Sequence, residues 1–348
     1  MKNSFGTDCF ALLAVFLVCL LSPGLGAAQQ LASPQTPPLR SATELVKLDV
    51  SVLDQGGNFA AGLTAHDFRV LDNGIEQPVV FFSPVQTPAQ ILVMIETSPA
   101  VYLIRDEHIS AIYALLDGLA PGDQVALATY DATPHGILGF TEDKAALRAA
   151  LSQVQYTIGM DQLNLYDSIS TLLDWVGSST GKKAFVLLGT GLDSSPSPNW
   201  DVLVKKLRGY DVVIFPIALG GSLRGGPSHK STAKKKESKE NGKQRRESSS
   251  AGSSGIFAKA DAALLALASM TGGRAYFPES PDDFVPIYHQ IAYELRNEYV
   301  LGIQPAQDGQ FHSLTVEVIG NTDRSTIPRG KTGGYRIFAR AGYLAPKP

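Results

Sequence analysis

Ser98 is the residue best placed for covalent chemistry, because it comes just after the apolar run Ile91-Leu92-Val93-Met94-Ile95. A serine in that position needs a base within hydrogen-bond reach. No histidine is placed by the sequence to supply one, and there is no G-x-S-x-G turn. The six histidines, His66, His108, His135, His229, His289 and His312, are scattered, with no pair at metal-ligand spacing on one helix. Each is expected at the surface or at a cap. Gly330-Lys331-Thr332 resembles the tail of a phosphate-binding loop, but Ser325 stands where the leading glycine is required and strand-like sequence follows. Cys9 and Cys19 are the only cysteines and both lie in the first twenty residues, so the rest of the chain forms no disulfide or thiolate metal site. No enzymatic reading has a motif behind it, and the chain is expected not to be an enzyme.

One charged stretch stands apart. Between Ser222 and Ser250 nine Lys or Arg face three Glu, a local net of +6 in a chain whose formal charge is −3. The part from Lys230 to Arg246 could touch anionic surfaces such as lipid headgroups, cell-wall polymers or nucleic acid. It has no aromatic residue to stack on bases, so no specific nucleic-acid recognition is expected. A solvated insertion is the simpler account of such a charge run.

These residues need elements to hold them. With 348 residues and 44% hydrophobic content the chain is globular, about two domains long, and neither disordered nor globally basic. Lys2, the apolar run Phe10–Leu21, the breakers Pro23, Gly24 and Gly26, and the small Ala27-Ala28 read as a secretory signal over 1–28. The apolar core is about a dozen residues, short of the roughly 20 that span a bilayer. Residues 29–43, with Pro34, Pro37 and Pro38, read as a flexible spacer. No membrane span is expected after cleavage, and the protein is expected to be secreted or held in the periplasm or cell envelope.

Val46, Leu48, Val50 and Val52 alternate with polar residues, as a half-buried strand does. Further strands are expected at 68–71 and 75–83, making residues 44–87 an N-terminal β segment. From 88 to 296 the pattern changes. Unbroken apolar runs at Ile91–Ile95, Ala184–Leu188 and Val212–Leu219 are the mark of strands buried on both faces. Between them come helical periodicities, among them Leu165, Ile169, Leu172, Leu173 and Val176, and a helix over Glu142–Val154 capped by Thr141. Residues 221–255 read as a disordered basic insertion, followed by a helix at Asp261–Met270, a short strand at Arg274–Phe277 and an amphipathic stretch over Pro281–Arg296. Strand signals return over 297–348. The expected class is α/β, a doubly wound and mostly parallel sheet, with a flanking β unit built from the N- and C-terminal segments.

An apolar strand ending in an acid and Thr-Ser resembles the opening of the von Willebrand factor A domain. The resemblance covers about residues 44–345 outside the basic insertion. It extends to Gly62-Leu63-Thr64-Ala65-His66-Asp67-Phe68, Leu71-Asp72-Asn73-Gly74, Gly272-Gly273-Arg274-Ala275-Tyr276-Phe277, Glu294–Gly302 and Ala339-Arg340-Ala341-Gly342-Tyr343. These segments look like a secreted, acidobacterial von Willebrand factor A-related subfamily. In that family D-x-S-x-S, a loop threonine and a later aspartate hold a divalent cation with oxygen ligands. Here Glu96 stands at the first aspartate, Ser98 at the first serine, Ala100 at the second, Leu163 near the threonine and Thr190 at the last aspartate. Ser98 alone is intact. Asp161 and Asp193 are nearby carboxylates. The resemblance therefore implies a non-catalytic protein-interaction or adhesion module with a degenerate metal-ion-dependent adhesion site. Its rim is Glu96, Ser98, Thr190 and Asp193, it has no metal ligand set and no cofactor, and its protein partner is unidentified. The alternatives are metal-dependent adhesion through Mg²⁺ and a hydrolase working on the same rim.

Overall fold

The alternating segment at the start of the N-terminal part forms β1 (Val46–Leu53), followed by β2 (Phe68–Asp72), β3 (Ile75–Gln77) and β4 (Phe81–Val85). This is a computed structural model, and it describes residues 45–85, 88–102, 104–159, 162–177, 181–195, 199–220, 224, 243–319 and 334–348. The expected signal and spacer, residues 225–242 of the basic insertion, and Gly330-Lys331-Thr332 lie outside the described residues. The 75–83 segment is two strands rather than one. Pro78 has no N–H to give to a ladder, and across it the chain leaves one sheet and joins another.

The central domain contributes β5 (Ala89–Glu96), α1 (Pro99–Tyr102), α2 (Arg105–Gly118), β6 (Gln124–Tyr130), β7 (Pro134–Thr141) and α3 (Lys144–Leu151). It continues through α4 (Leu165–Gly177), β8 (Lys182–Gly189), α5 (Trp200–Leu207), β9 (Val213–Ala218), α6 (Lys243–Thr271) and α7 (Phe284–Glu294). The last part supplies β10 (Glu298–Ile303), β11 (Phe311–Val318), β12 (Arg336–Ala339) and β13 (Gly342–Leu344).

The central sheet runs β7-β6-β5-β8-β9. β6, β5, β8 and β9 are mutually parallel, and β7 closes one edge antiparallel to β6. Alternate residues of β5 serve opposite layers. Ile91, Val93 and Ile95 pack with Ile112, Leu115 and Leu116 of α2 and with Tyr288 and Ile291 of α7. Leu92 and Met94 pack with Ile169 and Leu173 of α4, Leu203 of α5 and Leu264 of α6. All of these core residues are essentially inaccessible to solvent, which explains why the strand shows no polar alternation. The class expected from the sequence is the one observed.

The two ends of the described chain interleave. One antiparallel sheet is ordered β12-β1-β10-β4 and the other β13-β11-β2-β3. Leu48, Val50 and Val52 of one sheet share a core with Phe68, Val70, Leu314 and Val316 of the other. The aromatic rings of Phe59, Phe68 and Phe82 gather around Tyr299, with centroids 5.1–5.6 Å from its ring. Where this β unit meets the central sheet, Lys182 Nζ lies 2.6 Å from Glu298 Oε2, and both side chains are buried. Lys182 also donates to the Leu295 carbonyl at 2.5 Å.

Three local expectations need correction. The helix after β7 starts at Lys144 and is capped by Asp143, not Thr141. Asp143 Oδ1 accepts from the backbone N–H of Ala145 at 2.8 Å and of Ala146 at 3.1 Å, while Thr141 Oγ1 only accepts from Asp143 N. Aspartate is a strong N-cap, and its position two residues later sets the start. The expected strand at Arg274–Phe277 is reduced to one parallel bridge, Ile217↔Tyr276, running alongside β9. Finally, α6 begins at Lys243, inside the stretch expected to be disordered up to 255. Lys, Gln, Arg and Glu over 243–247 are good helix formers, the Ser- and Gly-rich stretch after them is not, and the far half of the helix is fixed to the sheet through Leu264 and Leu267.

Candidate functional site at the carboxyl ends of β5 and β8

The chain leaves β5 toward β6 on one side and later fills β8 on the other, so the strand order reverses beside β5. Open α/β sheets have their natural crevice at that point, outside the strands' carboxyl ends. Glu96 is the last residue of β5, and Thr190 directly follows β8. The sequence places an acid and hydroxyls there, and the fold brings Glu96, Ser98 and Thr190 together.

The Glu96 carboxylate is completely buried. Its Oε1 accepts from Ser98 Oγ at 2.5 Å and from Thr190 Oγ1 at 3.1 Å. Its Oε2 accepts from the Thr190 N–H at 2.6 Å, from Thr190 Oγ1 at 2.9 Å and from Tyr130 Oη at 3.0 Å. Burial pushes the carboxyl above the usual range, against the pull of these donors. Tyr130, buried at the end of β6, is pushed well up first by burial and then by the Glu96 charge. The approach depends on Gly189, since a Cβ there would stand 2.3 Å from Tyr130 Oη and 2.7 Å from Glu96 Oε2.

The other rim residues play different parts. Asp193 Oδ2 accepts from the Tyr166 N–H at 3.0 Å, and its Oδ1 accepts from Ser195 N and Oγ at 3.0 and 2.6 Å. It thus satisfies an orphan donor in the first turn of α4 and makes no bond to Glu96. Leu163 is buried, its N–H donating to Ser194 Oγ at 2.7 Å. Ala100 lies in α1 and brings no oxygen. Asp161 lies outside the described residues.

The sequence reading missed three participants. Tyr130 looked like the end of an ordinary apolar strand. Arg224 was counted with the basic insertion, yet its side chain is only 8% exposed. Its Nε donates to the Leu219 carbonyl at 3.1 Å and its Nη2 to the Thr190 carbonyl. Its Nη1 pairs with the third, Asp261 of α6, and its guanidinium lies 4.7 Å from the centre of the Phe257 ring. The only sequence signal for Arg224 is that it directly follows Leu223, the last large apolar residue before the charge run.

The residues present do not make up the set with which the von Willebrand factor A family holds its divalent cation. Such an ion needs several oxygen atoms free to face it at close range. Both Glu96 oxygens are taken up by internal donors, and Ala100 and Leu163 offer none. Among the described residues, no group of three or more His, Cys, Asp and Glu could hold a metal ion.

No family model matches the chain, and no curated protein matches it. Among solved structures, an aerotolerance-related membrane protein from Bacteroides fragilis aligns at 12% identity, covering 59% of this chain and 98% of that one, with a TM-score of 0.42. A von Willebrand factor type A protein from Catenulispora acidiphila aligns at 10% identity over 87% of this chain and 75% of that one, with a TM-score of 0.44. The ArnB paralog VWA2 from Sulfolobus acidocaldarius aligns at 13% identity over 86% and 76%, with a TM-score of 0.39. With a strand order of β7-β6-β5-β8-β9, one reversed edge strand and helices on both faces, the central part of this chain has the doubly wound, mostly parallel α/β architecture expected from the sequence.

Proposed function

We propose that this chain is a non-catalytic protein-interaction module, secreted or held in the cell envelope, whose β5–β8 crest engages its partner without a bound cation. One observation carries the reading: the acid that ends β5 is sealed from solvent, with its oxygens accepting from Ser98, Tyr130 and Thr190. A carboxylate held in this way is a structural anchor for the crest. The neighbouring surface groups are then what a partner touches. Ser98 donates its proton to Glu96, and among the described residues no histidine bonds to it, which supports the non-catalytic part of the reading. The signal-like start supports placement outside the cytoplasm, and no described helix is long and apolar enough to cross a membrane.

Calorimetric titration of the intact protein with Mg²⁺ and Mn²⁺ tests the reading, alongside capture of envelope proteins with and without chelator. The expected result is no heat of binding and a captured set that chelator leaves unchanged. Micromolar affinity for Mn²⁺ that disappears in Glu96→Ala would sink it in favour of metal-dependent adhesion. Turnover of an ester, phosphate or peptide substrate that disappears in Ser98→Ala would sink it in favour of a hydrolase.

A further inference from the structure

Thr190 is gripped from two sides. Its N–H and hydroxyl donate to Glu96, and its carbonyl accepts from Arg224. The Arg224 guanidinium also takes the Leu219 carbonyl beyond the end of β9, the Asp261 carboxylate on α6 and the face of Phe257. Two carbonyls and a carboxylate thus converge on a single buried positive group. Such a set of hard oxygen acceptors is what a cation would otherwise satisfy. A buried arginine that faces an acid is far better held than one left unpaired. Nor is the charge remote from the anchor: burial pulls the guanidinium down to about 10, against the opposing upward pull of the Glu96 charge.

We propose that Arg224 is the resident cation of this crest, a positive charge supplied by the chain itself that compensates Glu96 across Thr190 and joins β8, β9 and α6. This deepens the cation-independent reading above by naming what stands in for the ion. It also bears on the partner. An ion at such a crest keeps an open coordination position for a partner's carboxylate, whereas this guanidinium is already committed to Asp261 and two carbonyls. A partner therefore meets a sealed rim and gains nothing from presenting an acid.

The test is a double-mutant cycle by urea unfolding of the full chain, with Arg224→Ala made in the wild type and in Glu96→Gln. Compensation of charge predicts that Arg224→Ala raises the unfolding equilibrium constant about tenfold more when residue 96 is Glu than when it is Gln. A purely packing or hydrogen-bonding role for Arg224 predicts the same fold-change in both backgrounds, and that result overturns the proposal. Should Arg224→Ala fail to fold, Arg224→Lys carries the same cycle. Keeping the charge, it should retain the coupling that a charge-removing Arg224→Gln loses, so Arg224→Gln should destabilise about tenfold more with Glu than with Gln at 96, and an equal fold-change for Arg224→Gln in both backgrounds overturns the proposal. Titration with Mn²⁺ reads the earlier claim separately, because an ion could bind elsewhere on the rim with the Arg224–Glu96 coupling intact.

Discussion

Gly189→Ala is the sharpest probe of how the crest is built. The backbone at Gly189 is not in the left-handed region, so on conformational grounds alone alanine should stabilise the fold by about 0.4–1 kcal/mol. The packing says the opposite. The added methyl would sit 2.3 Å from Tyr130 Oη, 2.7 Å from Glu96 Oε2 and 3.3 Å from Glu96 Cβ. None of these atoms is the loose end of a free side chain, because Tyr130 and Glu96 are buried and bonded to each other. Relief requires Glu96 to move away, which stretches its bonds from Tyr130 and from the Thr190 N–H. A hydrogen bond to a charged group contributes about 1.5–3 kcal/mol. Losing one and weakening another outweighs the backbone gain and leaves a net destabilisation of about 2–3 kcal/mol. Urea unfolding, monitored for an unchanged slope so that the midpoint reports stability alone, gives the number. The same change in Tyr130→Phe, where the nearest obstructing atom is gone, should cost less. A Gly189→Ala variant within about 0.5 kcal/mol of wild type, the range of an indifferent surface change, would refute the sealed-carboxylate geometry. So would an equal cost in the Tyr130→Phe background.

Other outcomes follow from the same structure. Burial pushes Glu298 up to about 7, so the folded state holds this proton more tightly than the unfolded chain does. That contribution is complete below the ordinary carboxyl range and is lost as the pH rises through about 7. Glu298→Gln should therefore flatten the decline in urea midpoint on going from about pH 5 to pH 7.5; an unchanged slope would contradict it. Asp143→Ala removes the cap of α3 and should cost about 1 kcal/mol by the same assay, whereas Thr141→Ala should cost clearly less. Leu264→Ala, which empties a fully buried site where α6 meets the sheet, should cost about 2–5 kcal/mol.

The sequence carried the central sheet plainly because burial on both faces removes every polar residue from a strand, as in Ile91–Ile95 and Ala184–Leu188. The alternation of Val46 to Val52 showed equally well that one face of β1 is covered. What periodicity could not show was pairing across the chain. Nothing in β1 says that its neighbours are β10 and β12. Pro78, a clear break on chemical grounds, was read through because residues on both sides are strand formers. At the crest, Glu96, Ser98 and Thr190 were legible because each ends or follows a conspicuous apolar run. Asp193 was legible as a nearby acid, though its work of capping α4 was not. Tyr130 and Arg224 were hidden for opposite reasons. One looks like core in a row of core residues, and the other looks like one more charge in a charged stretch. Only three-dimensional proximity separates them from their neighbours.

The pairing of Val46 with Ile303 and of Val50 with Ala339 has a consequence for the order in which the molecule can assemble. The first described strand waits for partners that are made only after the central domain. That domain, whose strands and helices find one another over shorter stretches, can form while β1, β4 and the β2–β3 hairpin still lack their later partners. Contacts so distant along the chain are slow to form, and until they do, the edges of these strands lie open to any passing chain.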